Sequence, residues 1–154
     1  MTRVTFVCLG NICRSPMAEF IFKKMLSDAG MAASVFVDSK ATSAEEEGNP
    51  VYPPAARELR AHGISCAGKH AERLKKEDFE KSDYFLCMDE KNLRDMRRIF
   101  SCGEKQYLLT EFTGKRAEIA DPWYTGDFAG VYAQIEKACA AFLNYLKERE
   151  SERK

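Results

Sequence analysis

Apolar residues fall along the chain in short clusters of two kinds, and the two kinds alternate. "VTFVC", Val4 to Cys8, is β-branched and aromatic without polar alternation, which predicts a strand buried on both faces. From Pro16, Met17, Phe20, Ile21 and Met25, with Phe22 or the stem of Lys24, recur at helical spacing until Gly30 offers a stop. "VFVDS", Val35 to Ser39, predicts a second strand, "ATSAEEEGNPVYPP" an irregular loop, and "AARELRAHG" a helix. "KKEDFEKS" predicts a short solvated helix before the strand "YFLCM", Tyr84 to Met88. "DEKNLRDMRRIF" follows as a helix capped by Asp89, with Leu93, Met96 and Ile99 or Phe100 inward. "QYLLT" is the last strand. From Phe128, the positions Val131, Tyr132, Ile135, Cys139, Phe142, Leu143 and Leu146 predict a long terminal helix, and the polar tail from about residue 148 a fraying end.

Strands alternating with helices imply an α/β fold: a parallel sheet with right-handed crossovers and helices on both faces, in three layers. The 154 residues suit a single domain spanning 1–154. Ligands of such sheets gather at the carboxyl ends of the strands. The turn to inspect is therefore the one after the first strand, "CLGNICRS", Cys8 to Ser15.

Gly10 and Asn11 both tolerate backbone angles closed to most residues, so the turn can curl. A curled turn entering a helix aims backbone N–H groups inward and adds the positive end of the helix dipole, which makes an anion cradle of Leu9, Gly10, Asn11, Ile12, Cys13, Arg14 and Ser15. Ser15 is placed to cap the helix and Pro16 to occupy its first turn. The same surroundings favour a thiolate on Cys8, and the planar fork of Arg14 can grip two oxygens of a phosphoryl group. Cysteine, arginine and cradle together suit attack on phosphorus through a phosphocysteine intermediate. Expelling an aryloxide needs a proton donor, and Asp121 in "ADPWYTGDF" is the candidate, in a loop after the last strand. Trp123 and Tyr124 can wall a slot for an aromatic ring.

Composition narrows the partners. Lysine plus arginine number 24 and aspartate plus glutamate 24, so no net charge points to nucleic acid or to a membrane. No signal peptide or membrane span is read, and the expectation is a cytoplasmic monomer. The six cysteines show no zinc spacing; most are expected to be free thiols, with no metal. Cys13 reads either as core or, by loop curvature, as a redox partner within disulfide reach of Cys8.

These residues resemble the low-molecular-weight protein tyrosine phosphatases. "VCLGNICRSPMAE" is similar to that family's phosphate loop and first helix, "DPWY" to its acid loop, and "KKEDF" and "CMDEKNLRDM" to its middle segments. The resemblance implies a four-stranded parallel sheet, hydrolysis of phosphotyrosine in proteins and of small aryl phosphates, phosphate as product, and no cofactor. It implies Cys8 as nucleophile, Arg14 as phosphate binder and Asp121 as acid then base, with Asn11, Ser15 and His70 supporting the loop and thiolate. Where relatives often carry an aromatic residue on the rim of the slot, this chain has Glu45, Glu46 and Glu47. Three alternatives share the fold or the site. Arsenate reductases need two further relay cysteines, for which Cys87 and Cys102 are poorly spaced; protein-arginine phosphatases tend to carry threonine where Ile12 here suits a flat aryl ring; a non-catalytic phosphoprotein-binding module would lack Cys8 or Asp121.

Overall fold

The computed structural model describes residues 1–152. The first strand, β1 (Thr2–Cys8), is buried from Val4 onward, as its unbroken apolar run predicts. It lies inside a four-stranded sheet of order β2-β1-β3-β4, with β2 at Val35–Ala41, β3 at Tyr84–Cys87 and β4 at Gln106–Leu108. Every pairing is parallel, from Thr2 opposite Val35 to Cys87 opposite Leu108.

Because side chains alternate along a strand, β1 feeds two cores. Val4 and Phe6 join the larger one, under α1 (Arg14–Asp28), α2 (Pro53–Ala61) and a long terminal helix. Val7 joins the smaller one, under Leu93, Met96 and Phe100 of α3 (Glu90–Phe100). Phe22 ties the larger core together, its ring 5.8 Å from that of Phe6 and 5.5 Å from that of Phe142. The buried stripe of α1 is Met17, Ile21, Phe22 and Leu26, while Phe20 and Met25 only flank it.

Several boundaries differ from the pattern. Helix α1 begins at Arg14, so Ser15 and Pro16 lie within its first turn and Cys13 takes the cap position without a side-chain bond. Ser15 is not the cap because its hydroxyl is held by Cys8 and Asn11. Asp89 does cap α3, accepting from the Asn92 amide at 2.8 Å. The expected short helix over residues 75–82 is a 3-10 turn at Lys76–Glu80, and β4 gives way to another at Leu109–Thr113 as Leu109 turns into the larger core. A short helix, α4 (Pro122–Thr125), precedes the terminal helix α5 (Phe128–Glu152). The expected fraying from about 148 is absent through Glu152: lysine, glutamate and arginine are strong helix formers, and Arg149 stacks over the Tyr145 ring at 5.5 Å. The last two residues of that tail, Arg153 and Lys154, lie outside the described residues. Among the described residues, no helix is long and apolar enough to cross a membrane.

Candidate active site

Strand β1 delivers Cys8 to the carboxyl edge of the sheet, where residues 9–13 curl back into α1. The left-handed residue of the curl is Asn11, with φ 58°; Gly10 is not in that region. Gly10 supplies room instead, since a Cβ there would stand 3.3 Å from Cγ of Glu46. The Cys8 sulfur, 3% exposed, lies 3.3 Å from the Asn11 amide, 3.4 Å from the Ser15 amide and 2.9 Å from the Ser15 hydroxyl. Three polar groups thus converge on the sulfur.

Asn11 holds the curl from inside. Its side-chain amide donates to Ser15 Oγ at 2.8 Å and to Ser39 Oγ at 2.9 Å, and its carbonyl accepts from the Glu72 backbone at 3.0 Å. His70, expected to support the loop, does not reach it: the ring is exposed and its Nδ1 sits 3.1 Å from the Gly68 carbonyl. The neighbouring residue turns inward instead, with Lys69 Nζ donating to the Ser39 carbonyl at 2.9 Å.

Arg14 is nearly buried, and its partners fix which edge faces the cavity. Nη1 donates to Asp89 Oδ2 and to the Ile119 carbonyl, both at 2.8 Å, which uses both hydrogens of that nitrogen. Nε and Nη2 remain for a ligand, and Nη2 lies 3.6 Å from Asp121 Oδ2. Burial alone would loosen the guanidinium proton; the Cys8 charge, then the Asp89 hydrogen bond and the charges of Asp89 and Asp121, outweigh it and hold the proton more firmly than usual. Asp89 was legible in the sequence only as a helix cap, and the Ile119 carbonyl not at all. The one available signal was that Asp89 follows β3 at the same sheet edge as Cys8.

Asp121 caps α4, accepting from the Trp123 amide through Oδ1 at 3.0 Å, and its other oxygen faces Arg14. It is brought there because the Ile119 amide bonds the Met88 carbonyl at 2.9 Å, strapping the acid loop to the end of β3. A cavity of about 150 Å³ lies over Cys8, bounded by the loop residues Leu9, Gly10, Ile12, Cys13 and Arg14 and by Asp121. Trp123, Tyr124, Glu45 and Glu46 form its outer wall. Glu47 is not part of it; its carboxylate accepts from the Arg73 backbone at 3.2 Å. Trp123 and Tyr124 are 51% and 79% exposed, yet Trp123 is steadied by Tyr52, with ring centroids 4.6 Å apart. Tyr52 escaped the sequence reading because it lies in an irregular loop. Cys13 lines the same cavity as a free thiol, pushed up to about 12 by burial, then by the charges of Cys8 and Asp121. Among the described residues, no group of three potential ligands could hold a metal ion.

A three-layer parallel sheet that delivers a cysteine, an arginine and an aspartate to one cavity at its carboxyl edge is the build of an α/β cysteine-dependent phosphatase. The chain belongs to the low molecular weight phosphotyrosine protein phosphatase family, whose model matches residues 3–152. It is 44% identical over 147 residues to the Homo sapiens low molecular weight phosphotyrosine protein phosphatase, covering 91% of this chain and 92% of the relative. It is 33% identical to the low molecular weight protein-tyrosine-phosphatase YfkJ of Bacillus subtilis, covering 96% and 97%. The crystal structure of YfkJ superposes with a TM-score of 0.94, covering 97% of this chain and 96% of that one. The Streptococcus pyogenes low molecular weight protein tyrosine phosphatase superposes at 0.86 with 36% identity, covering 95% and 93%.

Proposed function

We propose that the protein hydrolyses phosphotyrosine in proteins, and small aryl phosphates, through a phosphocysteine intermediate. The observation that carries this reading is the meeting of Cys8, the free edge of Arg14 and Asp121 in one cavity. The Cys8 thiolate attacks phosphorus while Nε and Nη2 of Arg14 and the loop amides hold the oxygens. Asp121 gives its proton to the departing aryl oxygen, and the resulting carboxylate then takes a proton from the water that releases phosphate. Ile12, Trp123 and Tyr124 flank the ring. No step calls for a metal or cofactor, and the six free thiols suit a reducing cytoplasm; the enzyme is read as a monomer. The deciding experiment compares turnover of an aryl phosphate, phosphoarginine and arsenate by wild type and Cys8→Ser. The reading expects turnover of the aryl phosphate, dependent on Cys8, with little on the others; arsenate reduction or phosphoarginine preference overturns it.

Glu45 and Glu46 give the cavity an acidic outer wall, which favours phosphotyrosine flanked by lysine or arginine. Exposed charge pairs contribute about 0.2 to 1 kcal/mol each and weaken with salt, so the preference is about threefold in kcat/KM at low ionic strength. Peptides with basic and acidic flanks, compared on wild type and Glu45→Gln/Glu46→Gln, check it. An unchanged ratio at low salt removes the rim from substrate choice.

In this reading Cys13, which lines the same cavity as Cys8, protects the nucleophile. Peroxide converts the Cys8 thiolate to a sulfenic acid, losing hydroxide, and the Cys13 thiol then displaces water to leave a disulfide that a thiol reductant reopens. Oxidation also neutralises Cys8, removing one of the charges that disfavour the Cys13 thiolate. Mild peroxide is expected to inactivate reversibly, with recovery by dithiothreitol falling sharply in Cys13→Ala. Equal recovery in both proteins makes Cys13 a packing residue.

A further inference from the structure

Besides the polar contacts of Arg14, the phosphate loop and the acid loop are joined by a ring that the mechanism does not use. Tyr52 stands at the N-terminal cap of α2 and does not line the cavity. Its backbone N–H donates to the Ile12 carbonyl at 2.9 Å, which ties it to the phosphate loop, and its side chain packs against the small cluster of Ile12, Cys13 and Ala71. The same ring lies 4.6 Å from that of Trp123 in the acid loop, tilted by 48°, and 6.0 Å from that of Phe128 at the start of α5. One side chain thus touches both loops and the helix that follows the second.

The acid loop needs such a hold. Upstream, Ile119 is buried and strapped to Met88, and downstream Phe128 opens α5, but Trp123 to Asp127 between them are all exposed. Asp121 and Trp123 move as one unit. The Trp123 amide donates to Asp121 Oδ1 at 3.0 Å, and the Tyr124 and Thr125 amides donate to the Asp121 carbonyl at 3.1 and 3.3 Å. Wherever the Trp123 ring is held, the Asp121 carboxyl is held with it. Arg14 cannot do this alone during turnover, because its contact to Asp121 uses Nη2 at 3.6 Å, one of the two groups left for the phosphoryl oxygens. The Tyr52 contact lies outside the cavity and is untouched when substrate enters.

We infer that Tyr52 is a positioning residue for the general acid: anchored on Ile12, its ring holds Trp123, and Trp123 in turn holds the Asp121 carboxyl over the cavity. Proton transfer requires hydrogen-bond reach between the carboxyl and the departing oxygen, so a small displacement of the loop weakens that step first. Binding of the phosphoryl group, which depends on Arg14 and the phosphate-loop amides, is spared. The inference rests on the phosphatase reading and on Asp121 as its acid.

Wild type, Tyr52→Leu and Tyr52→Phe are compared. The Tyr52 side chain makes no cap bond to α2, so its replacement leaves the start of that helix in place. Trp123 is the sole tryptophan of the chain, so fluorescence reads its surroundings directly. Its emission is expected to shift to the red and to be quenched more by acrylamide in Tyr52→Leu. In kcat/KM the same variant is expected to lose about fivefold on phenyl phosphate and about twofold or less on p-nitrophenyl phosphate, whose leaving group needs little protonation. Both substrates carry a ring, so a disturbed wall alone lowers the two equally; only a misplaced proton separates them. Competitive inhibition by phosphate is expected to stay unchanged, and Tyr52→Phe, which keeps the ring, to match wild type throughout. In an Asp121→Asn background, Tyr52→Leu is expected to cost phenyl phosphate no more than p-nitrophenyl phosphate, since the group it acts through is gone. Should Tyr52→Leu fail to fold, Tyr52→Met, which fills more of the space without a planar face, is read in the same way. Wild-type emission, equal losses on the two substrates, or a full loss persisting in the Asp121→Asn background overturns the inference. Failure of the readings beneath it would show differently, as turnover surviving in Cys8→Ser or as equal losses on both substrates in Asp121→Asn alone.

Discussion

Cys8→Ser is expected to lose at least about 10^4-fold in kcat on any aryl phosphate while still binding inorganic phosphate. The size of the loss follows from removing the atom that forms the covalent bond, where nucleophile deletions in other enzymes reach about 10^6. Serine at this position has the Asn11 and Ser15 amides and the Ser15 hydroxyl within the same cradle, but no base beside it to take its proton. Binding survives because the free edge of Arg14, and the loop amides other than those of Asn11 and Ser15, do not bond the sulfur. It is expected to tighten: a thiolate near a phosphate dianion is a like-charge contact, and at about 4 Å such a pair interacts by about 4 kcal/mol at an effective dielectric of 20. Isothermal titration with phosphate, beside a sensitive assay of residual turnover, measures both quantities on one preparation. Retained turnover would mean that another group attacks phosphorus. Lost phosphate binding with the fold intact would mean that the sulfur organises the loop, which the three polar contacts around it then serve to maintain.

What the sequence revealed of this site divides along a physical line. The nucleophile loop could be read because its chemistry is local: a strand end, a turn and a helix start lie within eight residues, so spacing alone brings Cys8 and Arg14 together. Asp121 could be read as a candidate because parallel sheets gather loops at one edge. The supports could not. Asp89 was legible as a helix cap, a local role met by its bond to Asn92 three residues away, whereas its bond to Arg14 spans 75 residues and depends on β3 lying beside β1. The choice between His70 and Lys69 falls in an irregular segment, where no period of two or of 3.6 says which neighbour turns inward. The burial of Glu19 was hidden by the helical pattern itself, which assigns charged residues to solvent; besides Lys23 on its own helix, its partners are Ser39 of β2 and Lys69 of the loop before Ala71. Gly10 and Asn11 together promised a curl, but only the backbone angles distinguish Asn11, which bends the chain, from Gly10, which makes room for Glu46.

Asp121→Asn is expected to divide substrates by leaving group. With phenyl phosphate, whose aryloxide resembles that of tyrosine and has a pKa near 10, general-acid help is worth about 10^2 to 10^4. Nearly all of that should be lost. With p-nitrophenyl phosphate the departing oxyanion is stabilised by the nitro group and needs little protonation, so the loss should be about tenfold or less. The comparison belongs in kcat/KM, which stops at the first irreversible step, formation of the phosphocysteine. In kcat the same variant also loses the base that activates water, and that loss is common to both substrates once hydrolysis of the intermediate limits. Asparagine is a suitable replacement because it caps helices as well as aspartate, so the Oδ1 contact to the Trp123 amide and the wall made by Trp123 and Tyr124 should persist. It also removes a negative charge 3.6 Å from Arg14 Nη2, which should leave phosphate affinity equal or better. Weaker phosphate binding would therefore signal a displaced loop rather than a missing proton. Equal losses in kcat/KM on the two substrates, with phosphate affinity preserved, would take the acid role from Asp121 and leave Asp89, the other carboxylate on Arg14, as the group to replace next.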